Sequence, residues 1–322
     1  MRTLRWIALV VLALALLVVA GERSGDQPPR DAVAAAEREL GIDLEERRVD
    51  VGEVELHVVL AGPEGGPPVV LLHGFPEFWY AWFRQMGALA AAGFRVIAPD
   101  QRGYGGSSKP REVESYRVDH LADDVAGLVA ALGYETAFVA GHDWGGGVAW
   151  QLALRHPDRV RKLAVFDTPH PRAGRDAESE EETVSWYRTF FQIPWLPEWA
   201  ARLANWRVLA RSLRDGAAPG AFPDEKLDLY RSAWDQDGAF STMVNWYRAG
   251  FRHPEAFEDG RVGVPTLVVV ARDDAFIPSD LTRASLDYLD QGRLVELGTG
   301  THWVLQEEPE LTSRILIGFF AE

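Results

Sequence analysis

The sequence predicts an α/β fold in which a mostly parallel β-sheet is flanked by helices and interrupted by one inserted helical cap. A short, fully apolar run at residues 69–72 and similar runs at 136–140 and 266–270 have the length and composition of buried strands. Between such runs lie stretches with apolar residues every three or four positions, as in amphipathic helices. Strands that alternate with helices are typical of a parallel sheet covered on both faces.

The composition excludes several other classes of protein. The 322 residues are 47% hydrophobic and 25% charged, which is typical of a globular chain with a sizeable core. Lys and Arg number 33 against 48 Asp and Glu, a formal net charge of −15, so no nucleic-acid partner is expected. The chain has no cysteine, which excludes disulfide frameworks, thiolate zinc sites and a cysteine nucleophile.

The first residues have the pattern of an export signal. Arg2 and Arg5 precede an apolar run at 6–20, which small and polar residues follow. As a helix this run spans about 22 Å against a hydrocarbon core of roughly 30 Å, which favours a cleaved signal peptide over a retained N-terminal membrane anchor. Both interpretations predict an exported or membrane-anchored, extracytoplasmic protein. Without this segment, the acidic net charge predicts no adhesion to an anionic membrane.

The remaining elements follow in chain order. After a Pro-bearing linker, residues 31–40 predict a short Ala- and Glu-rich helix, and residues 48–60 alternate around Gly52-Glu53 as in a β-hairpin. Single strands are expected at 69–72, 94–98, 136–140, 162–166, 266–270 and 293–297, and helices at 82–92, 118–132 and 146–155.

The alternation of strands and helices stops at about residue 168 and resumes after about residue 260. The stretch between is rich in Trp, Tyr, Phe, Arg and Pro, which predicts several short helices that form a cap. The predicted organisation is a signal peptide or anchor at 1–20, a linker and short helix at 21–46, an α/β core at 47–167 and 261–322, and the helical cap at 168–260.

A strand-to-helix turn at residues 141–147 holds the first candidate for catalysis. Its sequence has the form Gly-x-nucleophile-x-Gly, in which small residues let the strand and the helix pass closely. The central residue is Asp143, and no Gly-x-Ser-x-Gly occurs elsewhere to supply a serine nucleophile. From this motif alone, Asp143 is either a nucleophile or the N-cap of the following helix.

Nucleophilic catalysis at such a turn also needs an acid and a histidine later in the chain. The loop after the strand at 266–270 offers Asp273 and Asp274, and spacing alone leaves the choice between them open. Of the eight histidines, only His302 lies on a glycine-containing loop after the last predicted strand. His302 is therefore the predicted base, with a solvent-exposed loop histidine as the alternative.

Three ordered motifs resemble those of the epoxide hydrolases of the α/β-hydrolase fold. They are His-Gly-Phe-Pro-Glu at 73–77, Asp-Gln-Arg-Gly-Tyr-Gly-Gly-Ser-Ser-Lys-Pro at 100–110 and Gly-His-Asp-Trp-Gly-Gly at 141–146. The resemblance runs from about residue 49 to the C-terminus. It implies Asp143 as the nucleophile and Asp274 as the acid, three residues after the small residue that ends the strand. His302-Trp303 matches the His-Trp pair of the family.

The resemblance further implies two cap tyrosines that hydrogen-bond the epoxide oxygen. Tyr187 in Trp-Tyr-Arg-Thr-Phe-Phe-Gln and Tyr247 in Asn-Trp-Tyr-Arg have surroundings similar to those of the family. The alternative for both is aromatic packing within the cap. The backbone N–H groups of Phe75 and Trp144 are expected to form an oxyanion hole, and Phe75, Trp144 and Trp303 to line the substrate pocket.

The implied reaction is hydrolysis of an epoxide to a vicinal diol through an ester on Asp143, which water activated by His302 hydrolyses. The expected partners are a small apolar or aromatic epoxide and water. Neither cofactor nor metal is expected, because the chain has no dinucleotide, phosphate-loop or metal motif. The alternatives are a haloalkane dehalogenase, which would have a polar residue in place of Phe75 and no need for paired tyrosines, and a non-catalytic ligand-binding protein of this fold.

Overall fold

A computed structural model describes residues 31–178, 186–203, 205–256, 258 and 260–322. The predicted signal peptide or anchor at 1–20 lies outside the described residues. Within the described ranges, every helix is too short or too polar to cross a membrane.

An eight-stranded sheet forms the centre of the molecule. Its strands are β1 (Glu45–Asp50), β2 (Glu55–Ala61), β3 (Pro68–Leu72), β4 (Arg95–Pro99), β5 (Ala137–His142), β6 (Val160–Phe166), β7 (Thr266–Val270) and β8 (Gly292–Glu296). Their order across the sheet is β1-β2-β4-β3-β5-β6-β7-β8. The pairs β1–β2 and β2–β4 are antiparallel, and the other neighbours are parallel. This confirms the predicted mostly parallel sheet.

Helices flank the sheet. They are α1 (Ala32–Leu40), α2 (Phe83–Ala91), α3 (Val118–Ala131), α4 (Trp144–Arg155), α11 (Ser279–Ala284), α12 (Val304–Glu307) and α13 (Pro309–Ala321), with α5 to α10 described below. Helix α2 packs on α13, and α3 packs on α4. Strands β4, β5 and β7 are buried at every position, which explains why the sequence there is mostly apolar.

The structure differs from the predicted elements mainly at their ends. Helix α4 begins at Trp144, two residues earlier than predicted, because the chain turns into it directly after Asp143. The helix predicted over 82–92 is preceded by a 3₁₀ turn at Trp79–Trp82. The sequence pattern gave no prediction for α11, α12 and α13.

The chain between β6 and β7, where the sequence predicts the cap, forms a set of inserted helices. They are α5 (Pro171–Glu178), α6 (Trp186–Phe190), α7 (Leu196–Leu203), α8 (Arg207–Asp215), α9 (Asp224–Trp234) and α10 (Ala239–Arg252). Trp246 Nε1 on α10 donates to the carbonyl of Arg102 at 3.0 Å, and Trp234 Nε1 on α9 donates to that of Pro76 at 2.6 Å. These bonds hold α9 and α10 against the loops that follow β3 and β4.

The parallel strands bring distant parts of the sequence to one edge of the sheet. Phe75 follows β3, Asp143 follows β5, Asp274 follows β7 and His302 follows β8. Because the carboxyl ends of parallel strands meet at the same edge, these residues share one side of the molecule.

Candidate active site

Asp143 lies at the sharp turn between β5 and α4. Its φ of 51° is unusual for a residue other than glycine and is typical of a strained functional turn. A Cβ on Gly141 would lie 2.3 Å from the carbonyl oxygen of Gly145, and a Cβ on Gly145 would lie 2.2 Å from that of Leu72. Only glycine fits at both positions, which explains the small residues two before and two after Asp143.

The carboxylate of Asp143 faces the loop after β3. Its Oδ1 accepts the backbone N–H of Phe75 at 2.8 Å, and its Oδ2 lies 3.6 Å from His302 Nε2. Gly74 allows this approach, since a Cβ there would lie 2.5 Å from the Cβ of Asp143. Asp143 occupies the N-cap position of helix α4, but its side chain makes no capping hydrogen bond to that helix.

His302 lies between two carboxylates. Its Nδ1 is 2.7 Å from Asp274 Oδ2, and its side chain is buried, unlike that of a solvent-exposed loop histidine. Asp274 is itself fixed, because its Oδ1 accepts the backbone N–H groups of Phe276 at 2.7 Å and Ile277 at 2.9 Å. Asp273 is exposed. The structure therefore brings Asp274, and not Asp273, to His302.

The charged forms of Asp143 and His302 stabilise each other. Burial opposes ionisation of Asp143, but the hydrogen bond and charge of His302 outweigh it, so the pKa of Asp143 is lowered. Burial likewise opposes protonation of His302, but Asp274 and Asp143 outweigh it and hold the pKa of the imidazole well above its ordinary value. Asp143 is therefore an anion at neutral pH, which is the state that nucleophilic attack requires.

Tyr247 lies against Phe75 and Trp144, the residues next to Asp143, and Tyr187 lies beside Tyr247. The rings of Tyr187 and Tyr247 are perpendicular, with centroids 6.0 Å apart. The Tyr247 ring lies 5.0 Å from Phe75 and 5.1 Å from Trp144. Burial and the charge of Asp143 hold the pKa of the Tyr247 phenol well above its ordinary range. This hydroxyl is therefore protonated and available as a hydrogen-bond donor.

Trp303 occupies a different environment from the other two residues predicted for the substrate pocket. Its ring lies 5.0 Å from His302 and 5.6 Å from Phe222, whereas Phe75 and Trp144 contact Tyr247. The place of Trp303 in the pocket stays a prediction.

Two aromatic residues at the site were missed by sequence reasoning. Phe191 lies 4.9 Å from Tyr247 and 5.5 Å from Phe75, and Phe276 lies 5.1 Å from His302. The available signals were the spacing of one helical turn between Tyr187 and Phe191, and the position of Phe276 two residues after Asp274.

A buried chain of polar contacts ties the backbone of His302 to the inserted helices. His142 Nε2 donates to the carbonyl of His302 at 2.8 Å, and His142 Nδ1 lies 3.6 Å from Glu77 Oε2. Glu77 Oε1 accepts the Tyr230 hydroxyl at 2.8 Å and Gln306 Nε2 at 2.6 Å. Sequence reasoning found Glu77 and His142 only as members of motifs, because these contacts join residues far apart in the chain.

Asp167, directly after β6, is a further buried carboxyl that sequence reasoning missed. Its Oδ1 accepts the backbone N–H of Ala271 at 2.6 Å, while its Oδ2 is buried without a hydrogen-bond partner. Burial and the nearby charge of Asp274 raise the pKa of Asp167 to about 7. Across the part of the chain that the structure describes, no three His, Cys, Asp or Glu side chains are grouped to hold a metal ion.

The sequence model of the α/β hydrolase fold matches residues 67–309. This chain belongs to the α/β hydrolase fold family. Epoxide hydrolase A of Mycobacterium tuberculosis (strain ATCC 25618 / H37Rv) is 35% identical over 311 residues, which cover 84% of this chain and 96% of that protein. Epoxide hydrolase 4 of Homo sapiens is 33% identical over 284 residues, which cover 85% of this chain and 78% of that protein.

A solved structure agrees with these sequence relatives. The crystal structure of epoxide hydrolase A from Mycobacterium thermoresistibile has a TM-score of 0.72 and 33% identity, covering 86% of this chain and 98% of that one. The predicted α/β-hydrolase fold and the predicted resemblance to epoxide hydrolases are therefore confirmed.

Proposed function

We propose that this protein is an epoxide hydrolase, a hydrolase of ether bonds that converts an apolar or aromatic epoxide and water into a vicinal diol. The observation that carries the proposal is the position of Tyr247 against Phe75 and Trp144, the residues next to Asp143, with Tyr187 beside it. Phenol donors close to a carboxylate nucleophile suit the opening of a strained ether. The epoxide hydrolases among the relatives support the same activity.

In the first step, the two oxygens of Asp143 have different roles. Oδ2 attacks an epoxide carbon, because Oδ1 is already engaged by the N–H of Phe75 at 2.8 Å. The carbon–oxygen bond of the ring breaks, and the leaving oxygen takes the proton of Tyr247 or Tyr187. The products of this step are an alkyl ester on Asp143 and a tyrosinate.

In the second step, His302 takes a proton from water, and the hydroxide attacks the ester carbon of Asp143. The negative charge develops on Oδ1, where the N–H of Phe75 already points, and the N–H of Trp144 at the start of α4 is the second donor. Collapse of this intermediate expels the diol oxygen, which takes the proton from His302. Hydrolysis leaves Asp143 as a carboxylic acid. Asp143 releases this proton to solvent, and the tyrosinate takes a proton from solvent, which restores both side chains.

Loss of the charge on Asp143 favours two proton transfers: donation by the tyrosine to the leaving oxygen, and release of the proton that His302 holds in the resting site. The Asp143 anion is one of the causes that raise the pKa of His302 and of Tyr247. Once Asp143 is an ester, the tyrosinate is less strongly disfavoured, and His302 releases its proton to solvent more readily and becomes a base. His302 regains a proton from solvent when the Asp143 anion is restored.

The same observations weigh against the alternatives. A haloalkane dehalogenase needs donors for a halide, but Phe75 contributes an apolar ring that packs on Tyr247. A non-catalytic binding protein has no need of His302 held 2.7 Å from Asp274 and 3.6 Å from Asp143. The two tyrosines with the complete set of nucleophile, base and acid favour epoxide hydrolysis.

The test is hydrolysis of styrene oxide and of a fatty epoxide by the wild type and by Asp143→Ala, with 1-bromobutane and a nitrophenyl ester as competing substrate classes. Diol formation that Asp143→Ala abolishes is the expected result. Bromide release without diol formation would contradict the proposal. Asp273→Asn is the matched control, because it removes an exposed carboxylate beside the acid and is expected to keep full activity.

We also propose, from residues 1–20, that the protein is exported or anchored at the N-terminus. N-terminal sequencing of the protein from the periplasmic or secreted fraction and from membranes tests this location. A fully cytosolic protein that retains Met1 would contradict it.

A further inference from the structure

In the part of the chain that the structure describes, large exposed apolar side chains occur only on the inserted helices and their adjoining loops. Among the described residues they are Ile193, Trp195, Trp199, Val208 and Phe251. Trp195 is 77% exposed and Trp199 is 52% exposed. Single exposed apolar residues are common on proteins, but two largely exposed tryptophans within one surface are typical of a contact site.

Trp199 lies on α7, and Trp195 directly precedes that helix. The N–H of Trp199 donates to the carbonyl of Trp195 at 3.0 Å, which is the spacing of one helical turn. Arg202 follows three residues after Trp199 and is also exposed. Helix α7 and the residue before it therefore expose two indole rings and a guanidinium.

Arg248 joins the neighbouring segments to this face. It donates to the carbonyl of Ile193 at 3.1 Å and pairs with Glu198 at 2.7 Å. Phe251 lies one helical turn after Arg248 on α10 and is 70% exposed. Arg248 therefore brings Ile193 and Phe251 close to the part of α7 that carries Trp199.

Helix α8 adds positive charge and one more apolar side chain. It buries Ala210 and Leu213 and exposes Arg207, Val208 and Arg211. It packs against α7. An amphipathic helix with arginines on its outer face is typical of a surface that meets phosphate groups.

The charge of this region is opposite to that of the whole chain. Residues 186–215 contain five arginines and two carboxylates, in a chain with a formal net charge of −15. Both carboxylates are paired, Glu198 with Arg248 at 2.7 Å and Asp215 with Arg211 at 3.0 Å. The acidic net charge predicts no adhesion to an anionic membrane, but the charge is unevenly distributed and this region is basic.

We propose that this surface docks on an anionic lipid membrane. The tryptophan surface, as we call it, consists of Ile193, Trp195, Trp199, Val208 and Phe251 with Arg202, Arg207 and Arg211. Indole rings partition to the boundary between headgroups and acyl chains, and arginines bind lipid phosphates, so the two components act together. The proposal goes beyond epoxide hydrolysis and does not depend on it.

The experiment measures sedimentation with vesicles of phosphatidylcholine containing about a quarter of phosphatidylglycerol, and with vesicles of phosphatidylcholine alone. The protein is the chain from Asp31, because residues 1–20 are expected to bind lipid themselves. The residues matched by the fold family, 67–309, all lie within it. Thermal unfolding and styrene oxide hydrolysis establish that each variant is folded.

Wild-type protein is expected to bind the anionic vesicles, and Trp195→Ser with Trp199→Ser to lower the partition coefficient by about tenfold. Arg207→Glu is expected to lower it about fivefold or more, since each basic residue near an anionic surface contributes about 1 kcal/mol. Arg314→Glu, a matched reversal of an exposed arginine on α13, is expected to leave binding within about twofold, because it lies outside the tryptophan surface.

Two results would overturn the proposal. The first is absence of binding to the anionic vesicles, or binding that the tryptophan double variant retains in full. The second is a concentration-dependent dimer, detected by sedimentation velocity without lipid, that the same double variant abolishes. That dimer would make the tryptophan surface a contact between copies of this chain. Styrene oxide hydrolysis by the same samples reports the proposed function separately, so failure of one proposal is distinguishable from failure of the other.

Discussion

Replacement of Asp167 by Asn is expected to stabilise the protein at neutral and alkaline pH. Asp167 is 1% exposed, and its Oδ2 has no hydrogen-bond partner. Its ionised form is therefore disfavoured in the folded chain, which raises its pKa to about 7 from the ordinary value of 3.8. Asn has no charge and keeps an oxygen that can accept the N–H of Ala271, the one hydrogen bond that Asp167 Oδ1 makes.

The direction and size of the effect follow from linkage between folding and protonation. A carboxyl with a raised pKa in the folded state stabilises the fold fully below its unfolded pKa, and this contribution is lost as the pH rises to the folded value. The contribution of Asp167 to the free energy of unfolding therefore falls between about pH 4 and pH 7, whereas that of an uncharged Asn does not change. From about pH 5 to pH 8 the free energy of unfolding of Asp167→Asn should rise relative to wild type by up to about 3 kcal/mol.

Urea denaturation of both proteins at about pH 5 and pH 8 measures this difference. Asp273→Asn is the matched control, because Asp273 is an exposed carboxylate on the neighbouring loop. The free energy of unfolding of Asp273→Asn relative to wild type should change by no more than about 0.5 kcal/mol over the same pH range. A free-energy difference between Asp167→Asn and wild type that is independent of pH would refute the reasoning.

Three further changes test the site. Tyr247→Phe should lower kcat for ring opening by about a hundredfold, because it removes a donor to the leaving oxygen, as measured by diol formation from styrene oxide. Gly74→Ala should abolish activity and lower the melting temperature, because its Cβ would lie 2.5 Å from the Cβ of Asp143, as thermal scans and diol assays would show. Asp274→Asn should slow hydrolysis of the ester by about a thousandfold or more, measured in single turnovers, whereas Asp273→Asn should match wild type.

Each of these changes has an outcome that contradicts the account. Unchanged kcat in Tyr247→Phe would reduce this tyrosine to aromatic packing. An active, stable Gly74→Ala would mean that Asp143 and the loop after β3 are not in close contact. Equal losses of the ester hydrolysis rate in Asp274→Asn and Asp273→Asn would mean that Asp274 is not the specific partner of His302.

The sequence predicted the features of the site that depend on local backbone geometry. The turn at Asp143 requires glycine at 141 and 145 because the strand and helix touch there, and this requirement is visible as spacing. The choice of Asp274 over Asp273 needed the resemblance to a family, because a loop after a strand can present either side chain to His302.

The features that the sequence could not predict depend on contacts between distant segments. Asp167 is buried because β6 pairs with β7, and nothing in the residues around it signals an unpartnered oxygen. The exposed Trp195 and the buried Trp234 occur in the same tryptophan-rich stretch. Composition alone does not distinguish them, because exposure is decided by how the inserted helices pack on one another.

The covalent ester on Asp143 is the central claim, and its direct test is mass spectrometry of His302→Gln mixed with styrene oxide. This variant keeps the Asp143 nucleophile but lacks the base that activates water. We expect an adduct with the mass of one added substrate, located on the peptide that contains Asp143 and absent in the double variant with Asp143→Asn. An unmodified protein that still forms diol, or an adduct on another residue, would contradict the account.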